Sequence, residues 1–202
     1  MRPMLPILTA ALPALRTFLE PKWRAYQTNR FPRLDERTPV AEGVCRHTTL
    51  FLFRLLRSAR QPGWVPVHGY CRIPFMHFEW LAAPRDSSPG LLTDLDRKIV
   101  YHDVQRRDGR WDAAFVLDGH LLWAEHWWLD HAPERLDLTI DQFGWPTDFC
   151  GSTADPRYRI VHPPNADDRR TLNGVRSTVS GWEADPEYRT LRARLIGAPP
   201  TP

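Results

Sequence analysis

The sequence predicts an α+β fold in which one buried helix near the N-terminus packs on an antiparallel sheet. The first observation is the segment from Cys45 to about Ser58 (CRHTTLFLFRLLRS), whose apolar residues cover more than half of a helix circumference. The second observation is a later series of short apolar segments separated by Asp-Gly pairs, which are strong signals for hairpin turns. Helices followed by a meander of hairpins are typical of the α+β class.

Length and composition favour one globular domain. The chain has 202 residues, of which 42% are hydrophobic, and its nine Trp argue against disorder. Six of them are expected in the core, with a ligand-binding wall as the alternative: Trp64, Trp80, Trp111, Trp123, Trp127 and Trp128. A chain of this length buries roughly 70% of the surface that its unfolded state exposes. We therefore predict a single domain, 1–202, made of an N-terminal helix and wrap (1–42), a central core (43–158) and a C-terminal extension (159–202).

Charge and cysteine content limit the partners and the compartment. The net charge of +3 is small, and Arg residues are interleaved with Asp and Glu, so we predict no nucleic-acid partner. Three cysteines, Cys45, Cys71 and Cys150, are far apart in the chain and do not describe a disulfide framework. They predict free thiols in a reducing compartment, the cytoplasm. The alternative is at most one bridge beside one reactive thiol. Cys71 and Cys150 begin no predicted helix and are expected to be structural.

The first twenty residues predict an amphipathic helix rather than an export signal. The apolar stretch from Met4 to Leu15 is interrupted by Pro6 and Pro13 and lacks a clear cleavage site. Its apolar residues recur at helical spacing: Leu8, Leu12, Leu15, Phe18 and Leu19. We expect this helix to end before Pro21 and a polar loop with a short helix to follow. No stretch is long enough to cross a bilayer, so we predict no membrane partner; secretion, or delivery as an effector, is the alternative.

Beyond the central helix, the pattern mostly predicts strands and turns. The predicted strands are Trp64–Arg72, Ile99–Gln105, Trp111–Leu117, Leu121–Leu129 and Arg135–Phe143. Pro66 has no backbone N–H, which suggests that the first of them lies at an edge of the sheet. Asp108-Gly109 and Asp118-Gly119 favour tight hairpins between strands. Short helices are predicted over Leu91–Lys98 and around Pro186–Ile196.

Two of these strands bring a histidine and an aspartate together. With a turn centred near His131 and Ala132, His126 falls about opposite Asp137. Opposed residues of an antiparallel pair have Cβ atoms about 4.5–5.5 Å apart. A carboxylate at that distance can hold an imidazole by one ring nitrogen.

The polar face of the predicted strand Arg135–Phe143 offers a second acid. Strict alternation places Asp137, Thr139 and Asp141 together on this face, where they must meet either solvent or a polar site. Because registers predicted from sequence often slip, Asp141 is the alternative partner for His126.

The central helix begins with a cysteine. Gly43 allows the chain to turn sharply into the helix, which places Cys45 in the first turn. Unpaired backbone N–H groups and the helix dipole favour a thiolate at such a position. If the face of the strand that carries His126 meets this turn, Cys45, His126 and Asp137 line up as nucleophile, base and orienting acid.

Taken in chain order, these motifs resemble a known family. GVC ending at Cys45 before a Leu- and Phe-rich helix, then HW at His126, then DLT at Asp137, resembles the papain-like superfamily in its bacterial transglutaminase-like branch. The blocks CRHTTLFLFRLL, HWWL, DLTIDQFG and DPRY (from Asp155) are similar to a group of bacterial proteins that carry them in this order. The resemblance covers about Gly43 to Tyr158.

The resemblance implies a fold, an activity and a role for each residue. It implies a papain-like or transglutaminase-like domain with 43–158 as the catalytic core. The activity implied is that of a thiol-dependent hydrolase or acyltransferase on an amide bond: a peptidase, an amidase or a glutamine deamidase. Cys45 would be the nucleophile, His126 the general base and acid, and Asp137 the orienting acid, with a thioester intermediate. A protein or peptide substrate is implied, and no cofactor.

Two departures from the family pattern concern the site. Trp127 follows the histidine where the transglutaminase-like pattern usually has a small residue. Papain-type enzymes also carry a Gln a few residues before the cysteine as an oxyanion donor, and residues 38–42 contain none. The oxyanion hole would then use the Cys45 backbone N–H and a second donor, either an indole or the Gln142 amide.

Two other functions stay open. The same fold would serve as a catalytically inactive binding or scaffold protein if Cys45 were only a packed core residue. A metal-dependent hydrolase would use ligands from His120, His126, Asp130 and His131, but the chain has no HExxH or CxxC motif. We therefore predict no metal. The acceptor (water or an amine) and the oligomeric state are left open.

Overall fold

The structure, a computed structural model, describes residues 4–30, 43–73, 115–118, 121–145, 149–160 and 163–196. Helices and an antiparallel sheet are combined within them, which confirms the α+β class. Several predictions lie outside the described residues: the helix Leu91–Lys98, the strand Ile99–Gln105, the turn Asp108-Gly109, and 31–40 of the polar loop.

Five α-helices and six strands are formed by the described residues. The helices are α1 (Met4–Arg30), α2 (Cys45–Ser58), α3 (Ala166–Asn173), α4 (Arg176–Glu183) and α5 (Glu187–Ile196). The strands are β1 (Val65–Ile73), β2 (Phe115–Asp118), β3 (Leu121–His131), β4 (Glu134–Asp137), β5 (Phe149–Ser152) and β6 (Tyr158–Ile160). A short 3-10 helix, Ile140–Phe143, follows β4.

Helix α2 has the predicted bounds and is the buried central helix. Residues 47–52, 55 and 56 are buried, so most of the helix circumference contacts other parts of the protein, and only the side with Arg46 and Arg57 is exposed. The helix ends shortly before Pro62, which has no backbone N–H with which to continue the hydrogen-bond ladder.

Helix α1 is longer than predicted. We expected it to end before Pro21, but it continues through Pro13 and Pro21 to Arg30. Beyond the second proline, Trp23 and Gln27 are buried, so the same face keeps packing on the domain. This burial outweighs the hydrogen bond that each proline removes. No helix in the described part of the chain has the length and apolar character needed to cross a membrane.

The sheet has β1 at its interior rather than at an edge. The strand order is β5-β4-β3-β1-β6, and β2 also pairs with β3. Strand β1 pairs with β3 along its whole length, but β6 covers only Gly69–Cys71 on its other side. The edge position predicted for this strand is therefore wrong. Pro66 itself lies outside the part of β1 that pairs with β6, so among the described residues no strand on that side requires its missing N–H.

One side of β3 is shared between two short strands. Strand β2 pairs with Leu121–Ala124, as predicted for a hairpin at Asp118, and β4 pairs with Leu129–His131. Between them, Glu125–Trp128 have no partner strand on that side among the described residues. This gap in the sheet includes His126.

The two faces of the sheet bury separate cores. Trp127 and Leu129 of β3 pack in one cluster with α1, α2 and the C-terminal helices. Trp128, on the opposite face, packs in a second cluster with Ile140 and Phe143 of the 3-10 helix. Trp64 and Trp123 are buried as well, which confirms the core prediction for these four Trp residues, while Trp80 and Trp111 lie outside the described residues.

The predicted strand Arg135–Phe143 is wrong in its second half. Pairing stops at Asp137, and the chain enters the 3-10 helix, which carries Asp141. The register is also shifted by two residues, because Leu129 lies opposite Leu136 and the turn is centred between Ala132 and Pro133. A shift of two residues keeps every side chain on its predicted face, since side chains alternate with a period of two.

The C-terminal region contains more structure than predicted. The helix predicted around Pro186–Ile196 is confirmed as α5, but β5, β6, α3 and α4 were not anticipated. Helix α3 begins with a capping box between Asn165 and Asp168. Val179 and Trp182 of α4 belong to the same core cluster as α2, so residues 166–196 are part of the main core.

We predict that adding one methyl group at Gly69 destabilises the protein. A Cβ at Gly69 would overlap the backbone oxygen of Arg159 and the Trp128 ring, so Gly69→Ala should lower the free energy of unfolding by about 1–3 kcal/mol. Gly181→Ala is the control: its Cβ meets nothing within 4 Å, and it should gain about 0.5–1 kcal/mol of helix stability. Urea denaturation of both variants measures this, and equal stabilities would contradict the packing at Gly69.

Candidate active site

Cys45 is the first residue of α2 and is partly exposed to solvent. Gly43 has a φ of +73°, which glycine adopts without strain, and it turns the chain into the helix as predicted. Val44 precedes the helix and provides no side-chain cap for the first N–H groups. The sulfur therefore lies at the positive end of the helix dipole, where the Val44 side chain accepts no hydrogen bond from the first backbone N–H groups.

His126 and Asp137 are in direct contact. Nε2 of His126 lies 2.7 Å from Oδ2 of Asp137, and neither side chain is more than 1% exposed. Because a carboxylate accepts hydrogen bonds, Nε2 is the ring nitrogen that donates. The predicted pair is thus present although the register is shifted by two residues, since Asp137 remains a diagonal neighbour on the same face.

Cys45 contacts the same imidazole. Its side chain lies within hydrogen-bonding reach of His126. Since Nε2 is bonded to Asp137, Nδ1 is the ring nitrogen that remains for the thiol. His126 itself lies in the part of β3 that neither β2 nor β4 pairs with among the described residues. Elsewhere α2 packs on the opposite face of β3, with Trp127 and Leu129.

Asp137 is held by four hydrogen-bond donors. Its Oδ1 accepts from the backbone N–H of Thr139 at 2.8 Å and from the Thr139 hydroxyl at 3.0 Å. Its Oδ2 accepts from His126 and, at 2.9 Å, from the hydroxyl of Tyr158. A buried carboxylate is costly unless its lone pairs are satisfied, and here both oxygens are.

These contacts set the protonation of the pair. Burial alone would raise the pKa of Asp137, but the charge and hydrogen bond of His126, with the donors from Thr139 and Tyr158, hold it below its usual value. Burial alone would lower the pKa of His126, but the charge and hydrogen bond of Asp137, followed by the contact with Cys45, raise it to about 9. At neutral pH the pair is therefore a carboxylate and an imidazolium.

Gln142 lies at the site but is engaged within the protein. Its Nε2 donates to the carbonyl of Thr139 at 2.8 Å and lies 3.4 Å from Nδ1 of His126. Its Oε1 accepts from the backbone N–H of Gly43 at 3.3 Å. The amide therefore links the start of α2 to the segment after β4, instead of presenting a free donor beside Cys45 as expected for an oxyanion hole.

Asp141, the alternative acid, is directed elsewhere. It lies in the 3-10 helix and forms an ion pair with Arg16 of α1. The acid that contacts His126 is Asp137. Strand β4 ends at this residue, and the following 3-10 helix directs Asp141 away from the imidazole.

The other two cysteines are free thiols in unreactive settings. Cys71 is fully buried, and burial, together with Asp137, raises its pKa well above the usual value. Cys150 is partly buried, and burial raises its pKa to about 11. Neither thiol is positioned to be a thiolate at neutral pH, which is consistent with the structural role expected for them.

The described residues among those considered as metal ligands do not converge. Asp130 forms a bidentate ion pair with Arg135, with both distances 2.8 Å. His131 packs against the Trp64 ring, and His120 lies outside the described residues. In the described part of the chain no three His, Cys, Asp or Glu side chains are grouped to hold a metal ion.

Three residues near the site were given no role by sequence reasoning. Thr139 and Tyr158 hold Asp137, and both lie in motifs of the resemblance, DLT and DPRY, which is a signal that could have identified them. Arg16 gives no such signal, because its partner Asp141 is 125 residues away in the chain.

Comparison of the chain with family models, curated proteins and solved structures found no match.

We predict that Asp137→Asn lowers the pKa of His126 from about 9 to below 6.5. The variant removes the negative carboxylate that raises this pKa and leaves the burial that lowers it. NMR titration of the labelled imidazole measures this directly, and an unchanged pKa would contradict the contact.

The same pair makes stability depend on pH. A raised folded-state pKa contributes stability that is complete below 6.5 and is lost as the pH rises through about 9. This contribution, on the order of 3 kcal/mol, should be seen in urea denaturation of the wild type and be absent from Asp137→Asn.

We also predict that the Tyr158 hydroxyl contributes to stability through Asp137. Tyr158→Phe should cost roughly 1.5–3 kcal/mol at pH 7, because it removes a buried donor from an ionised carboxylate. Tyr188→Phe is the matched control, since its hydroxyl contacts Ser58 Oγ at 3.3 Å, and should cost about 1 kcal/mol or less. Urea denaturation compares the two, and a Tyr158 variant no weaker than its control would refute this contribution.

Proposed function

We propose that the protein is a thiol-dependent hydrolase or acyltransferase that acts on an amide bond through Cys45, His126 and Asp137. We also propose that the helix and sheet belong to a papain-like or transglutaminase-like arrangement. One observation carries the proposal: the His126 imidazole contacts the Asp137 carboxylate through Nε2 and is within hydrogen-bonding reach of Cys45. A base that reaches the nucleophile on one side and is held by an orienting group on the other is the requirement for covalent catalysis of this kind.

The first step is acylation of the sulfur. With a pKa of about 9, His126 is an imidazolium at neutral pH, and a positive imidazole ring beside a sulfur stabilises a thiolate. The thiolate of Cys45 attacks the amide carbonyl carbon, and the carbonyl electron pair moves to oxygen. His126 then donates its proton to the leaving nitrogen, the C–N bond breaks, the amine departs, and a thioester remains.

The second step releases the acyl group. The neutral His126 takes a proton from water or from an amine as that nucleophile attacks the thioester carbon. The carbon–sulfur bond breaks, the thiolate and imidazolium return, and the product is an acid or a new amide. Asp137 keeps the ring orientation and stabilises its positive form in both steps. Water as acceptor corresponds to a peptidase, amidase or deamidase, and an amine to transamidation.

The developing oxyanion requires donors close to the sulfur. The backbone N–H of Cys45 and those of the following first-turn residues lie at the start of α2, and Val44 offers no competing side-chain cap. Donors of this kind stabilise an oxyanion in many acyl-transfer enzymes. The proposal therefore places the oxyanion at the α2 start and does not require the Gln142 amide.

A catalytically inactive binding protein of the same fold is the second candidate. It is favoured by Gln142, whose Nε2 lies 3.4 Å from Nδ1 of His126, because in a neutral ring this nitrogen can accept from the amide instead of from the thiol. The two candidates differ in whether Cys45 reacts as a thiolate that depends on His126.

We predict that iodoacetamide at pH 7 labels Cys45 selectively. Cys71 is buried and the pKa of Cys150 is about 11, so both should react slowly. His126→Gln should reduce the rate at Cys45 by about tenfold or more, because it removes the positive ring beside the sulfur. The measurement is mass-spectrometric peptide mapping over time.

Two control variants complete this experiment. Cys45→Ala should remove the rapid labelling and Cys150→Ser should leave it unchanged, with folding verified by circular dichroism. Slow labelling of Cys45 that is the same with and without His126 would reject the enzyme proposal and favour the inactive binding protein.

A further inference from the structure

We propose that Arg16 of the N-terminal helix α1 is a positioning residue of the active site, acting through the segment 138–142. This inference rests on the proposed function and extends it to a helix that contributes no group to the proposed chemistry. Helix α1 would then help to position the groups of the site, in addition to packing on the core.

Arg16 holds the segment 138–142 at two points. Its Nη1 donates to the backbone carbonyl of Leu138 at 3.1 Å, and its Nη2 pairs with Oδ2 of Asp141. Arg16 and Asp141 have side chains only 11% and 12% exposed, so little solvent competes with this pair. Charged hydrogen bonds of this kind are stronger than neutral ones and fix geometry as well as distance.

The position of Arg16 is itself fixed from its own helix. Its Nε donates to Oε1 of Glu20 at 2.6 Å, one turn further along α1, and its guanidinium lies 5.0 Å from the centre of the Trp23 ring. A guanidinium held in this way approaches the segment 138–142 with a defined orientation, which a flexible lysine would not provide.

The segment that Arg16 holds supplies the supports of the catalytic pair. Thr139 donates two hydrogen bonds to Asp137, and Gln142 bonds the carbonyl of Thr139 and the N–H of Gly43. These contacts connect Asp137, which holds the imidazole, with the turn that presents Cys45. Of the two points of contact with Arg16, Leu138 directly precedes Thr139 and Asp141 directly precedes Gln142.

This arrangement predicts a specific defect when Arg16 is lost. Without its two donors, the segment 138–142 is less restrained, and the Asp137–His126 geometry that raises the pKa of His126 is loosened. Errors of about 1 Å in such groups reduce rates strongly, by up to about a hundredfold. A role limited to attaching α1 would instead lower the melting temperature without changing the titration of His126.

The test compares two variants of α1. Arg16→Met removes the contacts to the segment 138–142, whereas Lys22→Met removes the 2.8 Å ion pair between α1 and Asp185, far from it in sequence. We expect Arg16→Met to label Cys45 about tenfold or more slowly at pH 7, and Lys22→Met to label it as the wild type does. NMR should show the pKa of His126 falling from about 9 towards 6.5 in Arg16→Met alone.

Two further variants keep the test decisive. Arg16→Lys retains a charge and one donor and should recover part of the labelling rate. If Arg16→Met does not fold, Asp141→Asn replaces it in the test, because this variant keeps the side-chain shape and removes the ion pair with Arg16. A slower labelling rate of Cys45 together with a lower pKa of His126 in Asp141→Asn would support the inference.

Other outcomes overturn the inference. Wild-type labelling and an unchanged His126 titration in folded Arg16→Met or in Asp141→Asn would do so, and so would equal losses in Arg16→Met and Lys22→Met. The proposed function fails separately, when His126→Gln labels Cys45 as fast as the wild type does.

Discussion

The buried ion pair between His126 and Asp137 is the constraint on which the rest of the site depends. Two ionised side chains inside a protein are stable only when their hydrogen-bonding capacity is satisfied and the partner charge is close. Here the carboxylate accepts from Thr139 and Tyr158 as well as from the imidazole, and the 2.7 Å contact keeps the ring charged at neutral pH. The reactivity proposed for the sulfur follows from this charge.

The segment 138–142 connects this pair to both helices at the N-terminal end of the chain. Its side chains and carbonyls contact Asp137, the turn at Gly43, and Arg16 of α1. The segment is available for these contacts because β4 ends at Asp137 and the chain enters the 3-10 helix instead of continuing along β3. The early end of β4 also leaves His126 without a partner strand on that side of β3 among the described residues.

Local patterns in the sequence were sufficient for several elements. The apolar run from Cys45 to Ser58 gave the bounds of α2, and alternation gave β1 and β3. The end of α1 was missed because burial of Trp23, a tertiary effect, outweighs the local effect of Pro21. Helices α3 and α4 were missed because they are short and polar on most sides, so their periodicity is weak without the core on which they pack.

The sequence by itself determined which chemical groups are available and on which face each strand carries them. Periodicity places Cys45 at a helix start and His126 and Asp137 on paired strands. Because side chains alternate with a period of two, the register error of two residues left His126 and Asp137 on the same face. Tertiary structure alone decided that Asp137 rather than Asp141 meets the imidazole, and that Gln142 is already bonded. It also decided the contacts of Arg16, because contacts between residues more than a hundred positions apart leave no periodic trace in a single sequence.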